Sequence, residues 1–127
     1  MIPERLAPQL YALMRIVFGL VFLLYGLQKF GVAGDAVPFL SWPYGVAGVI
    51  EVVVGVLAIL GLFTGYAAFL ASGEMAVAFF MFHVGQVGGF HPINNMGVPA
   101  VLFAFGWLYI AAKGSGMWSV DAMRSKG

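Results

Sequence analysis

The 127-residue sequence is 62% hydrophobic and 9% charged, with a mean hydropathy of +0.99; such a chain belongs in a bilayer, where about 20 apolar residues make one spanning helix. Cysteine is absent, which excludes disulfides, thiolate chemistry and cysteine-held metal or iron–sulfur centres. A formal net charge of +1 argues against nucleic acid or an acidic protein surface as a partner.

Four apolar runs follow one another. The first, Leu10 to Leu27, comes after Arg5 in the manner of a signal peptide, but it is too long and no A-x-A-like site follows it, so it is expected to stay as a helix. The second runs from Tyr44 to Leu62, the third from Tyr66 to Val84, and the fourth from Gly97 to Ala112. Gly61 to Gly65 reads as a tight turn. Gln28 to Pro43 and Gly85 to Met96 read as longer loops rich in Gly, Pro and polar residues. The first long loop carries Lys29, Asp35 and Trp42, the last fitting an interfacial anchor. The second ends in a helix start, with Asn94 or Asn95 as N-cap and Pro99 in the first turn.

The sequence thus predicts an all-α, four-helix transmembrane bundle formed by a single domain over residues 1–127, with helices at about 8–28, 44–62, 64–84 and 97–113. Arg5, Lys113, Arg124 and Lys126 fall on the terminal side and Lys29 alone on the long-loop side. The positive-inside rule then places both termini in the cytoplasm.

Three runs carry an ionisable residue well inside them: Arg15, Glu51 and Glu74. At a rise of about 1.5 Å per residue, each lies within roughly 6 Å of the middle of its own run, which predicts that they share one layer and meet. Small residues at helix spacing accompany them: Ala12, Gly19 and Gly26 with Arg15, Gly48 and Gly55 with Glu51, and Ala67, Ala71 and Ala78 with Glu74. Such stripes let helices approach closely. Facing lipid, each charge would cost about 2.5 to 3.5 kcal/mol, so the three point into the bundle. Arg15 is the expected partner of Glu51 or Glu74. One cation cannot neutralise two carboxylates, so unless Lys29 reaches inward, one glutamate holds or shares a proton. Two readings follow: an ion pair that only fixes helix register, or a site for a proton-linked ligand such as a quinone.

His83 and His91 do not make a metal or haem site. Nine residues from Glu74 is about half a turn out of phase on an α-helix, so His83 is expected to point away from the charged stripe, and His91 lies in the loop. Both histidines are read as hydrogen-bonding near the outer interface. The tyrosines, tryptophans and phenylalanines are read as belt and packing residues. GVAG and GQVGG lack the spacing and the following Lys-Ser/Thr of phosphate-binding loops.

Arg15 with Gly19, YGLQKF (Tyr25 to Phe30), Glu51 and Gly55 leading into LGLFTGYAA, Glu74 and Met75 followed by His83, HPINNMG, and GSGMWSVD near the end together resemble the DoxX family of small four-helix membrane proteins. The resemblance covers nearly the whole chain and implies a bundle of the bacterial inner membrane. Some members are similar to the membrane subunit of a thiosulfate:quinone oxidoreductase, and others are associated with oxidoreductase and oxidative-stress complexes. The family pattern falls on Arg15, Gly26, Lys29, Glu51, Gly55, Thr64, Glu74, His83, Asn95, Gly97 and Asp121. Where many relatives read N-x-G-E, this chain reads Asn95, Met96, Gly97, Val98, so the acidic group at the start of the fourth helix is missing.

The resemblance therefore implies an accessory membrane subunit that has no cofactor of its own, binds a quinone or lipid, and docks an oxidoreductase. Homo-oligomerisation is a further expectation. The expected ligand site comprises Arg15, Lys29, Glu51, Glu74, His83 and Asn95, with no catalytic residue and no metal. A non-catalytic assembly subunit is the alternative. A small proton-coupled exporter is a second, disfavoured by Arg15 standing where such exporters carry a glutamate.

Overall fold

The computed structural model describes residues 1–31 and 44–126, so the expected interfacial anchor Trp42, with Asp35, lies outside the described residues. A 3-10 turn, Glu4–Leu6, leads into α1, Ala7–Lys29. Next come α2, Tyr44–Leu60, and α3, Thr64–Ala78, which runs on as a π-helical segment, Phe79–Val87. They are followed by α4, Val98–Lys113, and a short α5, Val120–Lys126. The described residues contain no strand. Four long helices appear where the apolar runs predict them. The π segment and α5 are departures from that expectation.

Local chemistry sets the ends. Proline stands in the first turn of both α1 and α4, where a missing N–H costs nothing. The N-cap of α4 is Gly97 rather than either asparagine; Asn95 acts one step earlier, its Oδ1 accepting the Gly97 N–H at 2.9 Å. α2 stops at Gly61, which takes a left-handed φ of +70° and leaves no room for a side chain: a Cβ there would lie 2.2 Å from Cβ of Ser119.

The small-residue stripes do what their spacing predicts. α1 and α2 run antiparallel with Gly19 against Gly55 and Gly26 against Gly48 and Val52. A Cβ on Gly55 would meet the Gly19 carbonyl and the Leu23 nitrogen, each at 2.7 Å, so the backbones themselves touch. On α3 the stripe of Ala67 and Ala71 is buried, and Ser72 Oγ donates to the Ala104 carbonyl of α4 at 2.7 Å. The α1–α4 side is spanned by rings instead. Phe18 and Phe22 pack edge-on or tilted against Phe103 and Trp107 at centroid distances of 4.9 to 5.6 Å. Two pairs, α1–α2 and α3–α4, are thus tied tightly within themselves. α2 and α3 are joined directly by the turn at Gly61.

Two helical stretches are long and apolar enough to cross a bilayer: Glu4–Lys29, 26 residues with a hydropathy of 2.1, and Thr64–Val87, 24 residues with a hydropathy of 1.6. Gly45–Leu60 and Val98–Lys113 are shorter apolar helices.

Backbone contact at Gly55 gives a direct test. Gly55→Val should destabilise the protein by about 1–3 kcal/mol, the usual cost of overpacking, because two backbones have to part. Gly73→Ala, where a Cβ meets nothing within 4 Å, should be neutral or stabilising. Unfolding titrations of the two variants against wild type check the contrast.

Candidate functional site

The ionisable residues of the helices divide between two places. Arg15 does not meet either glutamate, which corrects the pairing expected from depth. The correction has two causes. The glycine contacts set α1 against α2 so that Arg15 stands level with Ala58 to Gly61, seven to ten residues beyond Glu51, roughly 10–15 Å along the axis. In addition, helical side chains lean toward their own N-terminus, and α1 begins at the terminal end, so the guanidinium reaches away from Glu51.

Arg15 is fully buried and binds backbone carbonyls. Its Nε donates to Ala58 O at 2.9 Å, Nη1 to Ser115 O and to Met117 O at 3.0 Å, and Nη2 to Trp118 O at 2.8 Å. A fork of fixed donors suits a cluster of carbonyls at a helix C-terminus. The same GSGMWSVD segment closes over the α2–α3 turn. The Asp121 N–H donates to Gly61 O at 3.0 Å, and Ser115 Oγ donates to Asp121 Oδ2 at 2.6 Å. The Asp121 carboxyl is held below the usual carboxylate range, chiefly by the Ser115 hydroxyl and further by the N–H groups of Phe63 and Thr64 at the start of α3, with Arg124 adding to it. Asp121 thus caps α3, whose own N-cap, Phe63, supplies no side-chain bond. The motif was visible in the sequence, but its partner, the α2–α3 turn, was not.

Lys29 does reach inward. It lies on the last turn of α1 and leans back into the bundle, while Glu51 on antiparallel α2 leans toward it. Nζ donates to Glu51 Oε1 at 2.8 Å, and the ammonium lies 5.9 Å over the Tyr25 ring. Glu51 is buried. The Glu74 carboxyl lies beside that of Glu51, yet both its oxygens are buried without a hydrogen-bond partner. Two carboxylates offer each other only acceptors, so these groups can bond only through a proton held between them.

Lys29, Glu51 and Glu74 line a cavity of about 790 Å³. Its wall is otherwise mainly apolar: Ile50 on α2, Leu70 and Val77 on α3, and Phe103 on α4 are among the lining residues. His83 lines it too, contrary to the expectation that it points away. The phase argument assumed α-helical turns, but the chain is π-helical from Phe79, as the bond from the Gly88 N–H to the carbonyl of His83, five residues back, shows. Wider turns advance each residue less and bring His83 round to the cavity. Its Nδ1 lies 2.9 Å from Asn95 O, so the expected hydrogen bond is present. Asn95 is fully buried and does not line the cavity; it bonds Gly89 O through Nδ2 at 2.9 Å and so braces the loop that holds His83. Four of the six expected site residues therefore converge, Asn95 supports them, and Arg15 stands apart. The described residues include no group of His, Asp and Glu arranged to hold a metal ion.

A model of the DoxX family matches residues 10–84, more than half of the chain and all four converging residues. The chain belongs to the DoxX family. It is a membrane protein of that family. An uncharacterised protein of Haemophilus influenzae is 42% identical over 130 aligned residues, which cover 93% of this chain and 92% of that relative. No solved structure matches the chain.

In this DoxX protein the two clusters make opposite predictions for double mutants. Arg15→Leu leaves several carbonyls without a donor and should cost on the order of 3 kcal/mol, with no rescue by Glu51→Gln. Lys29→Met should cost up to about 3 kcal/mol, the low end for a buried pair because the lysine is a quarter exposed, and Glu51→Gln should restore much of it. Denaturant titrations of the two double-mutant cycles check both. Rescue of Arg15→Leu by Glu51→Gln would sink the assignment.

Asp121 adds a pH dependence at the other end. A carboxyl whose folded-state pKa is depressed contributes stability that is present above its unfolded value, about 3.9, and is lost as pH falls through the folded value. Docking of the C-terminal segment should therefore weaken below about pH 4. Asp121→Asn should show the weakened state at neutral pH and lose the acid dependence, as read by proteolysis or hydrogen exchange of residues 114–126.

Proposed function

We propose that this DoxX-family protein is a four-span subunit of the bacterial inner membrane, with both termini in the cytoplasm, that holds a quinone in the cavity beside α2 and α3 and docks an oxidoreductase that exchanges electrons with it. The observation that carries this reading is the cavity. It is apolar over most of its wall and also carries an ion pair, an unpartnered carboxyl and a histidine. That combination suits an apolar ring and tail with a polar headgroup. Buried carboxyl oxygens without a partner call for one, and a ligand headgroup supplies it.

The surroundings support lateral access. Phe69, Leu70 and Val77 on α3 and Val46 on α2 line the cavity and are also exposed. In a bilayer, exposed apolar side chains face lipid, so a lipid-soluble ligand can enter from the membrane. The two long helices supply spans of ordinary length. Gly45–Leu60 and Val98–Lys113 fit a bundle crossing with locally thinned lipid, at a modest cost per ångström. The placement of the termini rests on the excess of Arg and Lys at that end.

Gentle purification from the native membrane, followed by solvent extraction and quinone analysis, tests the proposal. The expected result is about one quinone per chain in the wild type, by the one-cavity argument, and a clear loss in Lys29→Met and in Ile50→Trp, which fills the cavity. A stoichiometric protein partner with no quinone would instead support the assembly-subunit reading.

A further inference from the structure

The hydrogen-bonding capacity of the cavity wall is unevenly committed. A backbone carbonyl only accepts, so the 2.9 Å contact between His83 Nδ1 and Asn95 O puts the ring proton on Nδ1. The neutral ring then has Nε2 left as an acceptor. Asn95 is fully buried and fixed through both ends of its amide, so the carbonyl that orients the ring is itself held. Glu74 offers two buried, unpartnered oxygens. If a proton is held between Glu74 and Glu51, its donor direction is spent on that pair, and the remaining Glu74 oxygen still only accepts. Lys29 is the wall's cationic donor; one of its three N–H groups goes to Glu51 and the ammonium lies over the Tyr25 ring, so none is directed at Glu74 or His83 by a bond in the structure. Tyr25 and Gln86, which also line the cavity, each carry both a donor and an acceptor and do not shift the balance. What the wall lacks is donors directed at its acceptors.

We infer that this cavity recognises its ligand through hydroxyl groups that the ligand donates to Glu74 and His83, so that of a quinone and its quinol the site holds the dihydroxy form. This rests on the quinone-class reading above and adds the redox form to it. A quinone presents two carbonyls, which can accept from Lys29 but leave the acceptors of Glu74 and His83 unpaired. A quinol presents two O–H donors to the same groups. The neighbouring Lys29 disfavours a cationic amine, which could otherwise satisfy the same acceptors.

The test uses the full chain in nanodiscs and two matched ligand pairs: a decyl-chain benzoquinol kept reduced under argon against its benzoquinone, and 4-decylphenol against its methyl ether. The second pair differs by one hydroxyl donor and involves no redox change. Equilibrium dialysis should show the quinol binding about tenfold or more tighter than the quinone, and the phenol tighter than the ether, since a buried acceptor left unpaired costs about that factor. His83→Phe should shrink both ratios, and because it also removes the bond to Asn95 O the melting temperature is read alongside to confirm that the variant is folded. Glu74→Leu should do the same, and if it fails to fold, the two wild-type ratios and His83→Phe still decide. Equal binding of both members of each pair, or tighter binding of the quinone, overturns the inference while leaving the cavity a quinone site. Decylammonium binding more tightly than the quinol overturns it in favour of a cationic ligand. If neither quinone nor quinol binds, the quinone reading itself fails.

Discussion

The 2.8 Å contact between Lys29 and Glu51 joins the last turn of α1 to the middle of α2, and the polar wall of the cavity is arranged around it. It exists because of the direction in which helical side chains lean. On antiparallel helices that lean is opposite, so a residue at the end of α1 and one deeper in α2 close on each other. The pair neutralises a carboxylate that would otherwise be charged in an apolar surround, and it leaves Glu74 beside it without a cation of its own. Glycine contacts between α1 and α2 set the register on which this depends: Gly26 against Gly48 and Val52 brings Lys29 level with the start of α2.

The same lean, acting on Arg15, produces a separate structure at the other end. A guanidinium is always charged and has five donors, and here it is buried among carbonyls of α2 and of the segment after α4 rather than against a carboxylate. That segment is anchored twice more, through the Asp121 N–H on Gly61 and through Tyr11, whose hydroxyl donates to Gly114 O at 2.6 Å. The terminal end of the molecule is therefore pinned by backbone hydrogen bonds. The cavity is lined from the first half of α2 and from α3 beyond its first turn, away from the Gly61 turn that joins these helices.

Much of the architecture was legible because it follows from periodicity. Four apolar runs gave four helices, and the Gly and Ala stripes gave the buried faces, since close approach leaves room for no larger side chain. The membership of the charged cluster was legible only in part. Counting from the middle of each run treats the runs as centred on one plane, whereas α1 has 23 residues and α2 has 17, and their register is set by particular glycines. No local pattern states that offset. The charge count did carry information: two carboxylates against one cation required either a proton or Lys29, and the structure shows Lys29 on Glu51 with Glu74 still unpaired.

His83 shows where a sound rule fails for a physical reason. Residues Phe79 to Val87 have no proline and no distinctive sequence signal for a π-turn, so an α-helical phase was the natural assumption. The wider turn reorients His83 without changing its depth by much, and it is locked by Asn95 from the loop before α4. In this chain Val98, and not an acidic residue, begins α4. Asn95 and Gly97 therefore organise the loop through neutral hydrogen bonds alone, from Gly97 N–H to Asn95 Oδ1 and from Asn95 Nδ2 to Gly89 O. Val98 is exposed and does not line the cavity, so the acids of the cavity wall are Glu51 and Glu74, from α2 and α3. Of these two only Glu51 has a cation against it, Lys29, and both oxygens of Glu74 are buried without a partner, which is what makes Glu74 the group on the wall that a ligand can satisfy.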